Sequence, residues 1–343
     1  SFKYQSNTET FKAESEFLKY NYNSTKVSII PSDYSELEEP APRDVDLSYE
    51  QIEKMVRKAV EFQGDLYNII KEGDTVLLKV NLVSDVNGSG TGEVTDVRIV
   101  KAVIKIINEI AHGNIHIFVG EGSARTDDDP SSTGSKNVWK VAGYQNLLTD
   151  KDLEGINFKL INLNGPLSEL VEVTIPEKNI TASPYNGRFF VHKLITKTDV
   201  YISIPVLKIH NTGITCALKN QIGIAPGYYY GYNKTKGIDK FGNPTPQKLL
   251  HDANFPQVWT EEEIVDLSTI AGIDYVIVDA IMCLEKDKTY NGTNQVRMNT
   301  IIAGKDPVAV DHVCSKLFFL NPDDINHITL AEKVGLGTND PEK

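Results

Sequence analysis

The sequence predicts an α/β fold: two Rossmann-like lobes with mostly parallel sheets covered by helices. Three observations carry this. Short apolar, β-branched runs alternate with helical stretches of about 10–17 residues, the pattern that parallel sheets require. The runs end on glycine or on isolated polar residues, as strands do when a ligand site sits at their carboxyl ends. The chain has 343 residues, which suggests about two domains at roughly 150 residues each.

The elements follow in order. Residues 1–25 are polar without a sustained apolar face and read as a tail. A first lobe is expected over 26–205 and a second over 206–338, with the boundary open and interleaving allowed. Val27–Ile30 suits a strand. Leu47–Ile70 has helical spacing through Ile52, Met55, Val56, Ala59 and Val60. Thr75–Val80 is a buried-type strand. Thr95–Ala111 is the clearest helix, capped by Thr95 or Asp96 and ended at Gly113. A strand over Ile115–Val119 stops at Gly120-Glu121-Gly122, and a polar loop over 123–137 leads to a helix over Val138–Leu148. Phe158–Asn162 and Val200–Val206 are strands. Residues 211–224 read as the start of a helix, and 225–247 as a long loop with four tyrosines, the kind of loop that is usually functional. Glu261–Ala271 is helical, Tyr275–Asp279 and Met298–Ala303 are strands, and Asp306-Pro307 starts a helix with Asp as cap and Pro at its first position.

Composition narrows the function classes. Hydrophobic residues make up 40% and charged residues 24%, which excludes a mainly disordered or fibrous chain. No apolar run reaches the roughly 18 residues of a membrane span. The net charge of -12 disfavours nucleic acid and anionic membrane surfaces while leaving local basic pockets open. Three cysteines without a CxxC pair argue against a disulfide framework, an iron–sulfur cluster or a structural zinc site. The first residue is Ser1, so a processed export signal and a trimmed chain both fit. An extracytoplasmic or a cytoplasmic location stays open, with a lean to export. An oligomer is left open.

Chemistry gathers at three strand ends. Lys79 and Asn81 are two apart and share a face. Gly120-Glu121-Gly122-Ser123 lets backbone approach closely. In Lys208-Ile209-His210 the outer two residues share a face, and a helix from about Thr212 would add free N–H groups, with Lys219-Asn220 two turns on. Two lysines, a histidine and a helix start suit a carboxylate, phosphate or enolate, and they suit proton transfer. Weaker candidates are Asp127-Asp128-Asp129, the tyrosines Tyr228, Tyr229, Tyr230 and Tyr232, and Asp311. His112, His116, His251 and His327 show no metal-ligand spacing, and no GxSxG, HExxH or P-loop is present.

At these residues the chain resembles the family catalogued as domain of unknown function 362. The similar stretches are Lys79-Val80-Asn81, Gly120-Glu121-Gly122-Ser123, the block from Pro205 through Lys208-Ile209-His210, Thr215 and Lys219-Asn220 to Gly223, Tyr275–Asp279, and Ala303–Asp311. Many members carry a ferredoxin-type cysteine run. This chain lacks it, so no iron–sulfur cluster is expected. Where the family is Gly-rich after the Val-Asp strand, Ile281–Lys288 stands here. A more distant pattern likeness, His210 and Lys219 at about ten residues, is to nickel-dependent lactate racemases; it does not imply their cofactor.

These readings place an enzyme on a small anionic substrate, acting by proton transfer in a Lys/His-lined cleft. His210 is the acid/base and Lys208 and Lys219 hold the anion. Lys79, Asn81, Glu121, Ser123, Thr215 and Asn220 line the site. The alternatives are a ligand- or metal-binding protein without turnover, and an assembly protein on the same fold.

Overall fold

The computed structural model describes residues 25–181, 183, 185–231, 234, 257–286, 288–340 and 342. The expected tail up to residue 24, most of the long loop beyond Gly231, and His251 lie outside these residues. The strands are β1 (Val27–Pro31), β2 (Thr75–Val80), β3 (His116–Glu121), β4 (Phe158–Asn162), β5 (Leu170–Thr174), β6 (Arg188–His192), β7 (Val200–Ile204), β8 (Val206–His210), β9 (Gly213–Thr215), β10 (Tyr275–Leu284) and β11 (Gln295–Gly304). The helices are α1 (Tyr49–Gln63), α2 (Leu66–Ile69), α3 (Val97–Ile110), α4 (Val138–Val141), α5 (Gly227–Tyr230), α6 (Gln257–Ala271), α7 (Pro307–Leu317) and α8 (Asn326–Lys333).

One nine-stranded sheet organises the chain, in the order β1-β11-β10-β7-β2-β3-β4, with β8 beside β10 and β9 beside β8. The pairs β10·β7, β7·β2, β2·β3, β3·β4 and β10·β8 are parallel. The pairs involving β1, β11 and β9 that close its ends are antiparallel. Residues 26–205 and 206–338 therefore interleave within the sheet: β11 and β10 lie between β1 and β7.

Alternation along each strand divides the apolar residues between two cores. Val76, Leu78, Val80, Ile202, Ile204 and Ile277 face the side covered by α1 and α3. Leu77, Tyr201, Val276 and Val278 face the side covered by α6, α7, α8 and the 206–230 segment. Lys79 is two residues from Leu77, so the same alternation sends it to the second side. On α1, Ile52, Met55, Val56, Ala59 and Val60 are buried, and each fully buried Ile or Val contributes about 1.5–3 kcal/mol.

Local chemistry sets the element ends. The Ser48–Gln51 capping box opens α1, and Gly64 at φ 85 closes it, which splits the single helix expected over Leu47–Ile70. Asp96 caps α3 by accepting from Arg98 N–H. Asp306 accepts from the N–H groups of Val308 and Ala309 at the start of α7, with Pro at the first position. The helix expected over Val138–Leu148 is instead α4 followed by a 3-10 segment, Tyr144–Thr149, because Gly143 turns left-handed between them. The β5–β6 hairpin was not anticipated.

The largest correction concerns residues 211–224. No helix starts near Thr212. The chain turns back through Asn211-Thr212 into β9, pairing Lys208 with Thr215 and His210 with Gly213. Gly213 stands at φ 94, which a side-chain-bearing residue rarely adopts. The chain then forms a six-residue 3-10 segment, Lys219–Ile224.

Candidate functional site

A cavity of about 280 Å³ opens at the carboxyl ends of β2, β3 and β8. That is at the small end for ligand pockets and suits a metabolite-sized molecule. Of the site residues expected from sequence, Asn81, Glu121, Ser123, Lys208, His210, Thr215, Lys219 and Asn220 all line it. Lys79 does not. It lies wholly buried beneath the floor, its Nζ 3.0 Å from Glu121 Oε1 and donating to the carbonyls of Val80 (2.7 Å) and Asn220 (3.0 Å).

This floor is closely fitted. Glu121 Oε2 accepts from Leu82 N–H at 2.9 Å. Asn220 Nδ2 donates to the Lys79 carbonyl (3.0 Å) and to Ser203 Oγ (3.1 Å). A Cβ on Gly223 would stand 2.0 Å from Glu121 Oε1 and 2.6 Å from Lys79 Nζ. Gly122 donates from its N–H to the Gly223 carbonyl at 3.0 Å. The glycines beside Glu121 thus let two protein segments meet.

The wall is built from lysines. Lys208 donates to Asn81 Oδ1 at 2.9 Å and to the Glu93 carbonyl at 2.5 Å. Burial pulls its pKa down to about 8 against the opposing pull of Glu93 and Glu121. Lys219 is brought down to about 7 by burial, which Glu261 opposes and Lys288 and Lys208 reinforce. Lys234, from the long loop, also falls to about 7 through burial. It donates to Asn164 Oδ1 at 2.7 Å and to the Ala225 carbonyl. Asn164 ties this wall to the next loop by donating to the Ser123 carbonyl and to Asp128 Oδ2, both at 2.7 Å.

His210 is oriented by its own turn. The Thr212 N–H donates to His210 Nδ1 at 3.3 Å, so a neutral ring carries its proton on Nε2. Thr212 Oγ1 lies 3.2 Å from the same nitrogen. With no helix start at Thr212, the helix N–H groups expected beside His210 are absent.

Behind Lys219, the buried Asp311 accepts from the N–H groups of Ala217 (2.7 Å) and Leu218 (3.2 Å), fixing the segment that delivers Lys219. Burial raises the Asp311 pKa to about 6. His327 Nδ1 is 2.5 Å from Glu261 Oε2, and its Nε2 is 4.0 Å from Asp311.

The other candidates separate. Asp127 takes Asn137 Nδ2, Asp128 takes Asn164, and Asp129 takes Ser131, so the three carboxylates serve different turns. Among the described residues, no group of three or more metal-ligating side chains converges. Tyr229 stacks on Phe190 at 3.7 Å, and Tyr230 accepts from the Phe190 N–H. Neither lines the cavity, while Tyr232 lies outside the described residues. The three cysteines are buried thiols. No helix among the described residues is long and apolar enough to cross a membrane.

Glu93, Arg125, Lys234 and Lys288 line the cavity and were not anticipated. All four sit on loops, where no periodicity marks which way a side chain faces. Their one signal was position: Arg125 follows the Gly-Glu-Gly-Ser run, and Lys288 ends the stretch that departs from the family pattern.

Comparison with known proteins gives three findings. The model of the family described as a domain of unknown function (DUF362) matches residues 76–316. A thylakoid-associated protein of Synechocystis sp. is 24% identical over 285 residues, covering 82% of this chain and 74% of that protein. The solved lactate racemase apoprotein of Thermoanaerobacterium thermosaccharolyticum aligns with a TM-score of 0.44 at 13% identity, over 84% of this chain; the chain spans 62% of that protein's length.

Proposed function

The chain belongs to the DUF362 family, and on that premise we propose that it is an enzyme acting on a small anionic substrate, a carboxylate or a phosphate, by proton transfer in the lysine-lined cavity. One observation carries the reading. Lys208, Lys219 and Lys234 meet with His210 in one small cavity, in a protein whose net charge is -12. Burying ammonium groups is unfavourable unless anions compensate them, so a cavity walled by lysines favours an anionic guest.

The roles follow from pKa and geometry. A base works best when its pKa is near the working pH. Lys219, at about 7, meets that condition. Lys208, held by Asn81 and the Glu93 carbonyl, stabilises the charge that develops on the substrate. His210, with its neutral-ring proton on Nε2, is the donor. This moves the base from His210, where the sequence suggested it, to Lys219.

The test is proton–deuterium exchange, followed by NMR in D2O, at C2 of 2-hydroxy acids and at C3 of 2-oxo acids. Exchange catalysed by the wild type should fall about 10²–10⁴-fold in Lys219→Met and in His210→Ala. Equal exchange in wild type and Lys219→Met would remove Lys219 as base. Binding without exchange across the acid panel would favour a binding protein, a reading that Lys208's fixed hydrogen bonds also suit.

A further inference from the structure

The basic residues of the cavity fall into two tiers. Lys208, Lys219 and Lys234 are nearly inaccessible, at 3%, 5% and 3% exposure. Arg125 and Lys288 line the same cavity from exposed positions at its mouth. Arg125 is braced there, its Nε donating to the Val83 carbonyl at 2.8 Å and lying 3.4 Å from Asp85.

Against these five basic side chains the described lining offers two carboxylates, Glu93 and Glu121. Glu121 is engaged by Lys79 from beneath. Glu93 Oε2 accepts from Asn87 Nδ2 at 2.6 Å and from the Tyr290 N–H at 3.4 Å. With Asp85 beside Arg125 counted as a third carboxylate, five basic groups still face three acidic ones once the deep lysines are protonated, and this excess is spread over the depth of the cavity.

We propose that the ligand carries two anionic groups, one held by the buried lysines and the other by Arg125 and Lys288 at the mouth. This rests on the reading of the cavity as an anion site and specifies its substrate class: a short dicarboxylate or a phosphorylated carboxylic acid. The shared chemistry is two anionic ends on a metabolite-sized frame. A planar guanidinium at the mouth suits a carboxylate or a phosphate in two-pronged fashion.

A second consequence concerns protons. The deep lysines are partly deprotonated near pH 7–8. An incoming anion favours their charged form, so binding takes up protons from the buffer.

The experiment is isothermal titration calorimetry at pH 7.5 in two buffers of different ionisation enthalpy. The probes are lactate, pyruvate and inorganic phosphate as single-group ligands, succinate and malate as dicarboxylates, and 2- and 3-phosphoglycerate as phosphorylated acids. At least one two-ended class should bind about tenfold or more tighter than the single-group probes, with net proton uptake. The class that binds tighter identifies the outer group. In the double variant Arg125→Gln/Lys288→Gln that preference should shrink about tenfold, with single-group affinity falling only about twofold, as expected for exposed charges. Thermal unfolding of the variant should match wild type, since both positions are exposed. Equal affinity for single- and two-ended acids, or an equal loss for both in the double variant, overturns the proposal and leaves the anion site standing. Binding of none of the probes overturns the anion-site reading as well.

Discussion

The floor and the wall of the cavity both hold buried lysines whose pKa values burial lowers, yet the floor lysine is paired with a carboxylate beneath the cavity while those of the wall line it. Lys79 in the floor has a carboxylate at 3.0 Å and two backbone carbonyls as acceptors, all supplied by the protein. In the wall, Lys234 donates to Asn164 Oδ1 and the Ala225 carbonyl, and with Lys219 it lines the cavity, where burial brings both to about 7. Lys208 is held in the same way as Lys234, with Asn81 and the Glu93 carbonyl as acceptors, and has a pKa of about 8. A lysine paired with a carboxylate beneath the floor supports structure; lysines that line the cavity are placed to meet a guest. The contrast teaches that burial alone does not mark a site residue.

The sharpest way to break this comparison is Lys79→Met. Removing one partner strands Glu121 as a buried charge, and loss of one half of such a pair costs about 3–5 kcal/mol. Denaturant unfolding should show that loss. Lys219→Met should cost the ligand-free protein less than Lys79→Met, because burial already disfavours the ammonium it removes. If both variants lose several kcal/mol, floor and wall are the same kind of structure.

Gly223→Ala probes the floor from the other side. Its Cβ would fall 2.0 Å from Glu121 Oε1, so the ion pair must shift. Overpacking of this kind costs about 1–3 kcal/mol. Unchanged stability would mean that the floor is looser than its distances imply.

The wall makes a prediction in pH. Ordinary lysine pKa values are about 10.4, and Lys219 in the folded protein is at about 7. Between these values the unfolded chain holds a proton that the folded protein has released. Stability of the ligand-free protein therefore rises as pH goes from about 7 to about 10, by up to about 1.4 kcal/mol per pH unit for each such lysine. Urea midpoints measured across this range should climb in wild type and climb less in Lys219→Met. A bound two-ended anion should flatten the rise. An identical rise in the variant would place the effect elsewhere.

The smallest effect belongs to the mouth. Lys288 is exposed, so Lys288→Gln should change stability by no more than about 0.5 kcal/mol. A larger change would show that the mouth is part of the fold's support.

Period-two alternation explains what could be read in advance. That Lys208 and His210 share a face and both line the cavity followed from residue spacing, and the cap at Asp306 followed from Asp-Pro. Asn211-Thr212-Gly213 was harder. Ile214-Thr215 after it fits either a helix start or a returning strand, and pairing with β8 decided for the strand. Lys79 was expected to line the site beside Asn81; that it lies beneath the floor depended on Gly223 and Glu121, each distant in sequence. The loop lysines Lys234 and Lys288 depended on tertiary closure. Lys288 reaches the cavity because β10 and β11 each run ten residues and carry their connecting loop over it.

The central claim is that the lysines of the wall titrate near neutral pH until an anion joins them. The direct measurement is a pH titration of protein labelled with carbon-13 at the lysine ε-carbons, read by NMR and assigned with the single variants Lys208→Arg, Lys219→Arg and Lys234→Arg. The account predicts titration of Lys219 and Lys234 near pH 7 and of Lys208 near pH 8, all moving upward on addition of the tightest-binding two-ended acid. Titration of all three at the ordinary value of about 10.4, with or without the acid, would contradict it.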